Sequence, residues 1–170
     1  TRTAGSATSR SKWTVSMWVK RGTIGVQDSL FSGRSDDNNR DVIQFGGTPN
    51  FDQLQYIVIT GGGIPINIIT NQVFRDPSAW YHIVMAVDTT QATAANRVIV
   101  YINNVSQSFS GTPTYPAQNQ SNYINTSSYP TYIGRQAFDT TANLDGYMAE
   151  VNFIDGQALT PSSFGSTNTT

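Results

Sequence analysis

From Trp13 to Val19 apolar and polar side chains alternate: Trp13, Val15, Met17 and Val19 fall on one side, Thr14, Ser16 and Trp18 on the other. A period of two is the signature of a strand with one buried face. Comparable runs predict further strands near residues 29–32, 41–45, 53–60, 64–70, 80–88, 97–103, 132–135 and 147–154, each bounded by Gly, Pro, Asn or Asp. Many short strands at such spacing predict a sandwich. Ile102-Asn103-Asn104-Val105 reads as the tip of a tight hairpin, because Asn tolerates the positive φ that such turns need. The one helix-start signal is Thr160-Pro161-Ser162-Ser163, which predicts a single short helical turn near the end. Two stretches break the alternation, residues 35–40 (SDDNNR) and residues 111–130, and are expected to be loops that carry specificity.

Composition strengthens the all-β reading. Glu150 is the only glutamate and Lys12 and Lys20 the only lysines, so the usual helix formers are nearly missing. A chain of 170 residues fits one core, so residues 1–165 are expected to form one domain and residues 166–170 a polar tail or linker. Charged residues make up 12% and the net charge is -1, which supplies neither the basic field of a nucleic-acid binder nor the Lys/Arg face of a membrane-surface protein. No run approaches the roughly 20 apolar residues of a membrane helix, so no membrane insertion is expected. There is no cysteine, so the core must hold without disulfides.

Candidate chemistry is sparse. Glycoside hydrolysis needs two carboxyl groups facing one bond, but the strand neighbours of Glu150 on its own face are Met148 and Asn152. A structural role for Glu150 is expected instead, for example an ion pair with Arg135. His82 is the sole histidine, shares a strand face with Trp80, Val84 and Ala86, and is read as packing. Gly61-Gly62-Gly63 has no following Lys or helix and is read as a turn rather than a phosphate loop. Trp13 and Trp80 are expected in the core, while Trp18 is left between an outer sheet face and a place beneath a loop.

No cofactor is required by these residues. A calcium site remains open at Asp36, Asp37, Asn38 and Asp41, or at Asp139, since calcium takes oxygen ligands from loops. For an organic ligand the best candidates lie in residues 111–130. Tyr115, Tyr123 and Tyr129 could stack on sugar C–H faces, and Asn119, Asn122 and Asn125 could bond sugar hydroxyls.

The blocks WTVSMWVKR (13–21), LFSG (30–33), VFRDPSAWYHIVMAVDTTQATAANRVIVYIN (73–103), YIGR (132–135) and LDGYMAEVNFIDGQALTPSSFG (144–165) resemble, in family order, the laminin-G-like branch of concanavalin A-like lectin/glucanase domains. The versions they resemble most are those of structural and tail-fibre proteins of marine bacteriophages. The resemblance implies a jelly-roll sandwich of two antiparallel sheets. It also implies a non-enzymatic, lectin-like adhesion or display module on a virion surface or outside cells. Its implied partners are host surface glycans and other virion proteins, with homo-oligomer formation in the parent protein left open. A structural decoration domain that binds no sugar is the alternative, and a glycoside hydrolase a more distant one.

Overall fold

The computed structural model describes residues 9–137 and 141–165. It is an all-β sandwich of two antiparallel five-stranded sheets. In chain order the strands are β1 (Lys12–Arg21), β2 (Asp28–Asp36), β3 (Asn39–Phe45), β4 (Gln53–Thr60), β5 (Gly63–Val73), β6 (Tyr81–Asp88), β7 (Val98–Ile102), β8 (Val105–Ser106), β9 (Thr131–Ile133) and β10 (Gly146–Asp155). One sheet has the order β10-β1-β6-β7-β8 and the other β5-β4-β3-β2-β9. Among the described residues helix is confined to 3-10 turns at Ala94–Asn96 and Pro161–Ser163, the second at the Pro that the sequence marked, with no side-chain cap from Thr160.

The alternation in β1 places Trp13, Val15, Met17 and Val19 in the space between the sheets, each wholly buried. Opposite them stand Leu30, Ile43, Phe45, Leu54, Tyr56, Val58, Ile66 and Ile68 from the other sheet. Trp13 meets Tyr56 edge to face at 6.1 Å, a preferred geometry for aromatic pairs. The hairpin tip between β7 and β8 is formed as read, with Asn103 and Asn104 at φ of 49° and 69°.

Two expectations need correction. Trp80 is not in the core but 42% exposed. In β6 both faces are apolar, so the pattern does not say which one points inward; the side carrying Tyr81, Ile83, Met85 and Val87 does. His82, Val84 and Ala86 therefore lie on the outer face, on the side of Trp80. Residues 35–40 are likewise no open loop. Strand β2 runs to Asp36 and β3 starts at Asn39, so only Asp37 and Asn38 form the turn, and the Arg34↔Arg40 and Asp36↔Asn39 pairs continue the ladder. Polar side chains hid the strands because this hairpin projects beyond the core. Residues 166–170, expected as a tail, lie outside the described residues.

Candidate functional site

At one rim of the sandwich the β2–β3 hairpin meets the long connection between β8 and β9. Their junction is a cavity of about 500 Å³ lined by Arg10, Ser35, Tyr123, Thr126, Ser127, Ser128 and Tyr129. Three segments distant in sequence converge there, and buried polar contacts fix them. Asp41 on β3 points inward, wholly buried, and its Oδ2 accepts hydrogen bonds from the backbone N–H groups of Tyr123 (3.1 Å) and Ile124 (3.3 Å) and from the Tyr56 hydroxyl (3.4 Å). Asn122 Nδ2 donates to the Tyr56 hydroxyl at 2.8 Å. The Tyr123 hydroxyl donates to Asn39 Oδ1 at 3.0 Å, tying the loop to the hairpin. Gly33 permits the close approach, since a Cβ there would stand 2.8 Å from the Ile124 Cα.

Burial pushes the Asp41 carboxyl up to about 7, against the lowering effect of Ile124, Tyr123, Tyr56 and Arg10. Arg10 Nε donates to the Asn122 carbonyl at 2.6 Å, and its guanidinium carbon lies 5.9 Å from the centre of the Tyr123 ring. Among the described residues Arg10 has no carboxylate within ion-pair distance. The cavity thus offers a cation, two phenol rings and a row of hydroxyls.

The six ligand candidates do not converge. Tyr123 and Tyr129 line the cavity, and Tyr129 is 42% exposed. Asn122 and Asn125 are buried, and Asn125 Nδ2 donates to the Ser9 carbonyl at 3.1 Å, so these amides hold the loop rather than face solvent. Asn119 is exposed in a turn at φ 62°, its N–H bonded to the Thr89 carbonyl. Tyr115 packs against Phe109 with ring centres 6.3 Å apart, in a separate groove. The sequence reading assumed that neighbours in the loop share a surface, whereas the loop winds and turns its side chains in different directions. Arg10 was missed because 113 positions separate it from Tyr123, and only the fold joins them.

The calcium candidates do not fit a shared ion. The Asp36 carboxylate accepts from the Asn38 N–H and Asn39 Nδ2, both at 2.9 Å, and Asp37 pairs with Arg34. Asp41 faces the core. Among the described residues no group of three or more His, Asp or Glu is placed to hold a metal. Asp139 lies outside the described residues.

Glu150 is exposed rather than buried, and it has φ 49° where β10 bulges against β1 between Ser16 and Trp18. Its expected partner Arg135 is also exposed and lies over the Tyr132 ring, 5.1 Å from its centre.

A laminin-G-like family model, described as the Concanavalin A-like lectin/glucanases superfamily, matches residues 1–163. The chain belongs to this superfamily. Among solved structures this superfamily member is similar to domain 4 of AbnA, a GH43 extracellular arabinanase from Geobacillus stearothermophilus, in complex with arabinotriose. That match has a TM-score of 0.61 at 20% identity and covers 89% of this chain and 64% of that one. The Ruminococcus gnavus IT-sialidase CBM40 matches with a TM-score of 0.64 at 10% identity, over 91% of this chain and 81% of that one. A carbohydrate binding protein, so described provisionally, from Bacteroides ovatus matches with a TM-score of 0.61 at 16% identity, over 89% of this chain and 39% of that one. The chain thus spans less than two thirds of the arabinanase domain and of the Bacteroides ovatus chain. At these identities the likeness extends to the fold alone. Among curated proteins no sequence matches. Among the described residues no helix is long and apolar enough to cross a membrane.

Proposed function

We propose that the chain is a non-catalytic, lectin-like module that contacts surface glycans through the rim cavity. It would serve as an adhesion or display part of an extracellular or virion protein such as a phage tail fibre. The observation that carries this reading is the convergence of Arg10, Tyr123, Tyr129 and the Thr126–Ser128 hydroxyls on one cavity. Phenol rings stack on sugar C–H faces, hydroxyls exchange hydrogen bonds with sugar hydroxyls, and a guanidinium that makes no ion pair among the described residues favours an acidic sugar. Support comes also from relatives of the same fold solved with arabinotriose and with alpha2,3 sialyllactose. Catalysis is disfavoured because Glu150 is exposed on a bulge and Met148 and Asn152, two positions to either side of it, carry no carboxyl group.

A second reading is a structural contact domain that binds other virion proteins or further copies of itself. The inward turn of Asn122 and Asn125 favours it, since a loop whose amides bond the Tyr56 hydroxyl of β4 and the Ser9 carbonyl is built as scaffold. A glycan array probed with the chain separates the two. The lectin reading expects saturable binding that Tyr129→Ala weakens by roughly tenfold at an unchanged melting temperature. An array without signal leaves the structural reading standing.

A further inference from the structure

A second hollow, of about 340 Å³, opens on the outer face of the β10-β1-β6-β7-β8 sheet between Trp18, Trp80, His82, Asn103, Asn104 and Phe164. Arg10 precedes β1 and Trp18 lies near its far end, so roughly 25 Å of extended chain separates this hollow from the rim cavity.

The register builds it. Trp18 pairs directly with His82 across β1 and β6, on the face turned away from the core, and the two rings stack at 4.9 Å with 23° between their planes. His82 Nε2 lies 2.9 Å from Ser16 Oγ, which fixes the imidazole and with it the indole. Desolvation lowers the His82 pKa, with Glu150 opposing, so the imidazole is uncharged at neutral pH. The chain after β10 folds back over the same face. Thr14 Oγ1 donates to the Gln157 carbonyl and accepts from the Leu159 N–H, bringing the last 3-10 turn and Phe164 to the edge of the hollow.

Two features remain open. Trp80 is 42% exposed at the lip, and among the described residues no aromatic ring stacks on it. At the hairpin tip Asn103 Oδ1 accepts from the His82 N–H at 2.8 Å, which turns that amide to the hollow's edge with its Nδ2 unbonded among the described residues. Asn104 beside it is exposed. Among the described residues no Asp, Glu, Lys or Arg lines the hollow, so its lining supplies no ion-pair partner to offset the desolvation of a charged ligand. An aromatic face flanked by amides, in a space at the small end of ligand-site volumes, matches a sugar ring with an apolar C–H face and hydroxylated edges.

We propose that this hollow is a second saccharide site, which takes an uncharged pyranose stacked on Trp80 with its hydroxyls bonded by Asn103 and Asn104. It is independent of the rim site and stands even if the rim binds nothing. Where both sites act, one domain engages a glycan surface at two points, which raises avidity without a new contact at either.

The test is an NMR titration of the 15N-labelled chain with maltotriose, cellotriose and chitotriose, followed at the tryptophan indole N–H signals. Trp13 is wholly buried and serves as an internal reference. Saturable shifts of the Trp80 and Trp18 signals with at least one trisaccharide at about 10 mM are expected, with Trp13 unmoved. Trp80→Ala should weaken that binding by roughly tenfold or more, and Tyr129→Ala should leave it unchanged. If Trp80→Ala fails to fold, Asn104→Gly keeps the positive φ of the tip and removes the amide, and a several-fold loss is expected. The proposal is overturned if none of the three sugars moves the Trp80 signal, if binding survives the folded variant at full strength, or if Tyr129→Ala abolishes it.

Discussion

Asp41 Oδ2 lies 3.1 Å from the backbone nitrogen of Tyr123, so a buried carboxyl on β3 holds a rim residue 82 positions further along the chain. The pH dependence of this contact follows from linkage. Burial raises the folded-state pKa to about 7 from 3.8, so between those values the native state binds more protons than the unfolded chain. The stability Asp41 contributes is fully present below about pH 4 and is lost as pH rises through about 7. Asp41→Asn removes the titration, and its amide takes the place of Oδ1, which has no hydrogen-bond partner. The melting temperature of the parent chain is therefore expected to fall by roughly 5 °C more than that of the variant between about pH 5 and about pH 8. Parallel curves would show that Asp41 does not titrate in this range.

Arg21 provides a contrasting case of buried charge. Its side chain is wholly buried, with Nη1 2.9 Å from both Asp52 Oδ1 and the Phe74 carbonyl, and Nη2 3.4 Å from Asp28 Oδ2. The guanidinium carbon lies 4.4 Å from the centre of the Phe45 ring. Burial already pushes the Asp28 pKa up, with the Asp145 backbone N–H and Arg21 opposing, so loss of the cation leaves that carboxyl poorly compensated. Arg21→Ala is expected to destabilise the fold by about 3–5 kcal/mol in urea unfolding. A loss below about 1 kcal/mol would mean that the network stabilises no more than a surface ion pair does.

The sandwich was legible where one face of a strand is polar. In β1 the alternation identified Trp13, Val15, Met17 and Val19 as core, and they are. In β6 it failed for Trp80, because a strand apolar on both faces carries no parity signal, and Val84 and Ala86 on the outer face are buried as the core side is. The site was legible only as a region. Loop length and tyrosine content marked residues 111–130, but which side chains face the cavity is decided by contacts such as Asp41 with Tyr123 and Arg10 with Asn122, and no local pattern encodes these.

Glu150 gives a simpler prediction. It is exposed with φ 49°, in the left-handed region that costs an ordinary residue about 1–2 kcal/mol. Glu150→Gly should raise stability by about 0.5–1 kcal/mol, after the greater freedom of glycine in the unfolded chain is counted. Glu150→Gln should change stability by less than about 0.5 kcal/mol. Reducing-sugar assays on glucans should read zero for all three proteins, and turnover lost on either substitution would make the domain an enzyme.

Gly33 ties the sheet to the rim. Its φ is not in the left-handed region, so alanine meets no backbone strain there, and the whole effect of Gly33→Ala is steric. The added Cβ would stand 2.8 Å from the Ile124 Cα and 2.9 Å from the Tyr123 carbonyl oxygen, backbone atoms that cannot rotate aside as a side-chain end can. The loop must shift, and the Asp41 bonds to the Tyr123 and Ile124 N–H groups lengthen first, because they tie the same two residues. A cost of about 1–3 kcal/mol is expected, as for an overpacked core. Hydrogen exchange should quicken at the Tyr123 and Ile124 amides while the amides of β1 and β6 keep their relative protection. If the rim cavity binds glycan, affinity should fall with it, since Tyr123 and Tyr129 would no longer hold their spacing from Arg10. Gly33→Ala that leaves both amide protection and the melting temperature unchanged would show that the loop does not sit against β2 in solution.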